Sequence, residues 1–146
     1  MSKNRVGILF VIAALALLTL GACSKSDNGK TVNVALGDFS LQPQASTIAA
    51  GDITFKVHNN GGFEHEMVVF KVADASRIPS QANGEADEEA VPKAAHMGEV
   101  EHVLPGTSKT FKLKLSRGKY VLFCNLIDGT KAHFKEGMHA QFTVTG

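Results

Sequence analysis

From Thr31 to the end of the chain the apolar residues recur at every second position, and this period restricts the chain to strands. Val32 and Val34 alternate with Thr31 and Asn33, Ile53, Phe55 and Val57 with Thr54 and Lys56, and Phe111, Leu113 and Leu115 with Lys112 and Lys114. A period of two turns one face of a pleated strand toward a core, whereas a helix needs 3.6. Two runs differ. His65-Glu66-Met67-Val68-Val69-Phe70-Lys71-Val72 and Tyr120 to Cys124 are apolar at consecutive positions, the pattern expected of strands covered on both faces. Phe142 and Val144 mark a last strand. Asn59-Asn60-Gly61-Gly62, Pro105-Gly106 and Arg117-Gly118 supply the turns between them. Six to eight short strands in a chain of 146 residues predict an all-β sandwich with a single core.

One stretch breaks the period. Ala73 to Leu104 contains Gly84-Glu85-Ala86-Asp87-Glu88-Glu89-Ala90 and has little β-branched content before Val100. It is expected to leave the sheet as a loop with one short helix around residues 85–96. Some 32 residues cannot bury a core of their own, so the stretch is an excursion and not a second domain.

The N-terminus reads as an export signal. Lys3 and Arg5 precede an apolar run of 15 residues from Val6 to Leu20, too short for a comfortable span of roughly 20. Leu20-Gly21-Ala22-Cys23-Ser24 follows, and small residues before a cysteine there resemble the lipobox of bacterial lipoproteins. That resemblance implies cleavage after residue 22 and lipidation of Cys23, which holds a protein on a membrane because each buried CH2 contributes about 0.8 kcal/mol. The expected organisation is a signal peptide (1–22), a lipidated polar tether (23–30) and one domain (31–146), on a bacterial membrane and facing the periplasm or the cell exterior. Cleavage leaves 13 Lys plus Arg against 14 Asp plus Glu, a net charge of 13 − 14 = −1. A near-neutral domain gives no reason to expect a nucleic-acid partner.

With Cys23 lipidated, Cys124 is the only thiol left in an exported chain, so no internal disulfide accounts for it. Cys124 ends a predicted strand, on the same face as Tyr120 and Leu122. His133 and Met138 follow it in one loop, as Cys-x8-His-x4-Met. His65 opens an earlier strand directly after the Gly61-Gly62 turn. His58, at the other end of that turn, falls opposite Ile53, Phe55 and Val57 and is expected to face water. A thiolate, two imidazoles and a thioether suit copper, because soft sulfur favours Cu(I) while imidazole tolerates both oxidation states. The competing reading makes Cys124 and Met138 ordinary core residues. His96, His102 and His139 read as surface or loop residues.

The segments Gly62-Phe63-Glu64-His65-Glu66-Met67, Gly118-Lys119-Tyr120-Val121-Leu122-Phe123-Cys124 and Gly137-Met138-His139-Ala140 resemble the ligand-bearing segments of the cupredoxins, and Gly118 to Asn125 is similar to the sulfocyanin and plastocyanin-like group. The resemblance implies a Greek-key β-sandwich holding one type 1 copper, bound by His65, Cys124 and His133 in a plane and by Met138 on the axis. It also implies a monomeric electron carrier between envelope redox proteins, with Leu126, Ile127 and Phe134 forming an apolar patch around the loop histidine; core packing is the competing reading of these three residues. Eight residues between Cys124 and His133 depart from the two to four usual in small carriers, and resemble the spacing in copper nitrite reductases. An enzyme of that kind needs a second copper, usually held by His-x-His pairs, and the chain has no His-x-His. The expectation is therefore not an enzyme; a copper-delivery or sensing protein, or an accessory domain of a copper reductase or oxidase system, is the alternative.

Overall fold

The computed structural model describes residues 30–146. The expected signal peptide, the lipid anchor Cys23 and the tether up to residue 29 lie outside the described residues. The strands in chain order are β1 (Lys30–Gly37), β2 (Ser40–Pro43), β3 (Thr47–Ala49), β4 (Gly51–Asn59), β5 (His65–Phe70), β6 (His96–Val103), β7 (Ser108–Leu115), β8 (Gly118–Phe123), β9 (Ile127–Asp128), β10 (Lys131–Ala132) and β11 (His139–Thr145). One sheet has the order β2-β1-β4-β7 and the other β3-β11-β8-β5-β6, while β9 and β10 pair only with each other. β1 runs parallel to β4 and β3 parallel to β11; the remaining pairs are antiparallel. This is the all-β sandwich that the alternation predicts, and Lys30, expected in the tether, already belongs to β1.

The period of two decides what each sheet buries. Val32, Val34 and Leu36 of β1 and Ile53, Phe55 and Val57 of β4 are buried, whereas Lys56 and His58 are exposed. The register sets Val32 beside Phe55 and Val34 beside Val57, so both strands present one apolar face. Phe55 meets Phe142 of the opposite sheet with ring centroids 5.8 Å apart. A fully buried phenylalanine contributes about 1.5–3 kcal/mol, so these rings are principal anchors of the sandwich.

The two unalternating strands are covered on both faces. Met67, Val69, Tyr120 and Leu122 point between the sheets, and Val68, Phe70, Val121 and Phe123 point outward beneath Ile78, Ala86, Val91 and Phe134. The excursion is that cover. Its helical content is three single 3-10 turns, Ala75–Arg77, Glu88–Ala90 and Lys93–Ala95, in place of one helix over 85–96. Val91 precedes Pro92, whose ring disfavours helical backbone before it, and Val91 is extended (φ −97°, ψ 138°). The excursion also stops sooner than expected, because His96–Val103 is the edge strand β6. Only Val100 and Val103 of β6 are buried, and a bulge opposite Glu66 disrupts its period, so the sequence pattern misses it.

The registers fix the polarity of the sandwich. Gly37, Asn59, His65, Phe123 and His139 reach one end, and Lys30, Gly51, Leu115, Gly118 and Thr145 reach the other.

Candidate metal centre

Three side chains meet at the first of these ends. His65 opens β5, Cys124 follows β8, and His133 follows β10; all three are buried. His65 Nδ1 lies 3.2 Å from His133 Nδ1, and Cys124 Sγ lies 3.2 Å from His133 Nδ1 and 3.9 Å from His65 Nδ1. A triangle with those sides has a circumradius of about 2.0 Å, matching a metal–imidazole bond of roughly 2.0–2.1 Å. Both Nε2 atoms are buried without a hydrogen-bond partner. Two imidazoles and a thiol facing one point form the trigonal donor set that suits copper.

Met138 completes the loop. It is fully buried, its N–H donates to the His133 carbonyl at 2.9 Å, and its carbonyl accepts the Cys124 N–H at 3.1 Å. Main-chain bonds thus tie the fourth expected ligand to two of the others.

The long spacer is not slack. Asp128 pairs with Lys131 and Ile127 with Ala132, and the His133 N–H donates to the Leu126 carbonyl at 2.9 Å. Gly129 holds φ +59° at the first position of the two-residue turn, the place a type II′ hairpin reserves for glycine. Residues 127–132 therefore fold onto themselves, and the chain enters and leaves the hairpin at neighbouring points. The site meets Cys124 and His133 as though only Asn125 and Leu126 stood between them.

Burial sets the protonation of the metal-free donors. It pushes the Cys124 thiol up to about 11 and pulls both imidazoles below the ordinary histidine value, with the neighbouring His65 adding to the effect on His133. The imidazoles are neutral and the thiol protonated at pH 7, so metal uptake displaces the thiol proton.

Around the donors stands a row of residues that the sequence pattern does not single out. Asn59 is buried; its Nδ2 donates to the Phe63 and Val103 carbonyls at 2.7 and 2.8 Å, and its Oδ1 accepts the Gly61 N–H at 2.8 Å. It fixes the turn that delivers His65. Asp38 accepts from the Gly62 N–H at 2.8 Å and lies 3.6 Å from His65 Nε2. Partial desolvation raises its carboxyl, but the Gly62 and Phe63 N–H groups and His65 outweigh this and leave it below the ordinary value. A Cβ at Gly61 would collide with Asp38 Oδ1, so glycine is required there. Phe39 holds φ +60° and sets its ring nearly perpendicular to that of His133, centroids 5.2 Å apart, with Lys131 Nζ 5.0 Å from the Phe39 centroid. Glu66 accepts the Asn125 N–H at 3.0 Å and so links the residues that follow two of the donors. The signals for these residues were present as the turn letters of Asn59 and Gly61 and an acid beside a ligand, but nothing in the sequence pairs Asp38 with Gly62.

His58 lies on the exposed face of β4 and bonds Ser108, as expected. His102 pairs with Glu64 at 2.6 Å, His96 with Glu99 at 3.8 Å, and His139 is exposed. Of the expected apolar patch, Ile127 is exposed and lines a cleft with Phe63, Leu126 and His133. Phe134 is instead buried against Phe123, so it belongs to the core under the excursion.

No protein-family model and no curated protein matches the chain. Solved structures do. A dithionite-reduced auracyanin from Roseiflexus castenholzii superposes with a TM-score of 0.62 at 22% identity, over 81% of this chain and 98% of that one. An azurin, Az-iso2, from Methylomonas sp. strain J gives 0.55 at 18%, over 80% and 98%. A reduced rusticyanin gives 0.53 at 20%, over 80% and 81%. At such identities the likeness is one of fold.

Proposed function

Starting from a chain with the cupredoxin fold, we propose a type 1 copper protein that carries single electrons between redox partners of the bacterial cell envelope, held to a membrane through Cys23. The observation that carries the copper centre is the convergence of His65 Nδ1, His133 Nδ1 and Cys124 Sγ on one buried point. Bound there, copper supplies a reversible one-electron change between Cu(I) and Cu(II).

The protein's own residues make that change facile. His65, Cys124 and His133 hang from two strand ends and a closed hairpin, so the donors keep their places as charge changes. Met138, buried in the same loop, would offer a further, weakly held sulfur donor. Asn59 and Asp38 hold the His65 turn, and Phe39 covers His133 and keeps water from its ring. The cleft of Phe63, Leu126 and Ile127 beside His133 is the route by which an electron leaves toward a docked partner. A membrane tether raises the effective concentration of partners in the same membrane.

The test is visible spectroscopy of residues 24–146 with added Cu(II). One tightly bound copper with an intense thiolate-to-copper band is expected, lost in Cys124→Ser, while Met138→Ala keeps metal and shifts spectrum and potential. A Cys124→Ser protein that kept colour and affinity would overturn the assignment.

A further inference from the structure

Basic side chains gather at one end of the described domain, whereas at the metal end Lys109, Lys131 and Lys135 are interspersed with acids. At the end opposite the metal centre stand Lys30 at the start of β1, Lys114 near the end of β7, Arg117 and Lys119 around the β7–β8 turn, and Lys71, whose Nζ reaches Ser116 Oγ at 2.6 Å. Lys114, Arg117 and Lys119 are exposed. The acids near them are Asp52, which pairs in register with Lys114, and Asp74, which feels Arg77 and Lys119. Other acids lie toward the ligand loop or on the excursion: Asp38 and Glu64 beside His65, Asp128 in the hairpin, Glu88 on the Asn125 amide, and Glu85 bonded to Asn83. The mature chain is almost neutral, yet one of its ends is basic.

The chain enters the domain at that basic end. Cys23 lies seven residues before Lys30 in sequence, and seven residues span at most roughly 25 Å when fully extended. β8 climbs from Gly118 at the basic end to Cys124 at the other, roughly 20 Å at 3.3 Å per residue. A lipid on Cys23 would therefore be attached at the basic end, on a tether as long as the domain, so that the charges of the surface, and not the tether, decide which end faces the bilayer.

We propose that this end of the sandwich, formed by Lys30, Lys71, Lys114, Arg117 and Lys119, docks on an anionic phospholipid leaflet and stands the metal centre away from the membrane. Cations attract acidic headgroups over about a Debye length, and the acids around the ligand loop are repelled by the same surface, so the two effects turn the molecule one way. The inference rests on the membrane-tethered reading given above. It assigns the tethered domain one orientation, with the Phe63 and Ile127 cleft open to partners.

Residues 30–146 contain both sheets and both apolar clusters, so the form spanning 24–146, without lipid, tests the face alone. It is sedimented with vesicles of phosphatidylcholine, with and without phosphatidylglycerol. Binding is expected only with phosphatidylglycerol, and is lost at high salt. Lys114→Gln/Arg117→Gln/Lys119→Gln should weaken partition roughly fivefold per cation removed, about a hundredfold together. A control that neutralises Lys109, Lys131 and Lys135, away from this end, should bind as the parent does. Equal binding to neutral vesicles, unchanged binding by the first triple variant, or equal weakening by the control would overturn the proposal. Mass spectrometry of the full chain from a bacterial host tests the tether separately: an unmodified Cys23 removes the anchor but leaves the vesicle result standing.

Discussion

His65 Nδ1 and His133 Nδ1 face each other at 3.2 Å, with Cys124 Sγ completing the triangle and no other group between them. With both imidazole protons on Nε2, the thiol supplies the one proton among the three facing atoms, and lone pairs oppose one another in the metal-free fold. A bound cation removes that opposition and stabilises the native state with the logarithm of ligand excess, by about 4 kcal/mol at a thousand times Kd. Copper loading of residues 24–146 should raise the melting temperature by at least about 10 °C. Calorimetry with and without metal checks this; an unchanged melting temperature would mean that the donors do not close on a metal.

Glu66 carries a pH dependence of stability. Burial, opposed by the Asn125 N–H and reinforced by Glu88, Glu99 and Glu101, pushes its carboxyl up to about 7. The folded value exceeds the unfolded one, so the metal-free fold keeps a proton that the unfolded chain releases. The stability linked to this proton is whole below about pH 4.5 and is lost as pH rises through 7. Glu66→Gln keeps an acceptor for Asn125 and abolishes the loss. Urea titrations at pH 5 and pH 8 should show a variant that is relatively more stable at pH 8, by about 1–3 kcal/mol. Parallel pH profiles for the two proteins would contradict the burial.

Asn59 satisfies two carbonyls and one N–H inside the protein. Asn59→Ala leaves all three without partners and should destabilise the fold by about 2–4 kcal/mol. Since the same turn aims His65, the residual folded protein should also bind copper more weakly. Chemical denaturation together with a competitive copper titration reads both effects.

The 127–132 hairpin closes on itself, so its length is not felt at the donors. Replacing residues 127–132 by Gly-Gly keeps a two-residue turn between Leu126 and His133. This variant should retain the thiolate-to-copper band, whereas Gly129→Ala, at φ +59°, should loosen the hairpin and lower the melting temperature by a few degrees. A colourless Gly-Gly variant would show that the hairpin itself shapes the site.

Much of the fold and of the site is legible without coordinates. A period of two names the strands, consecutive apolar residues in β5 and β8 demand cover on both faces, and a thiol, two imidazoles and a thioether define the chemistry, because side-chain alternation and donor type are properties of the residues themselves. The edge strand β6 escaped because it buries little. The excursion's helix is replaced by short turns because Pro92 disfavours helical backbone at Val91, which is extended. Which segments meet depends on pairings across long stretches of chain: β1 alongside β4, Asp38 under the Gly62 turn, and Phe39 over His133, 94 positions later. Such contacts arise from packing two sheets into one volume, and no local pattern encodes them. The hairpin spacer belongs there too, since the eight residues counted in sequence come to two in space only once Leu126 and His133 pair.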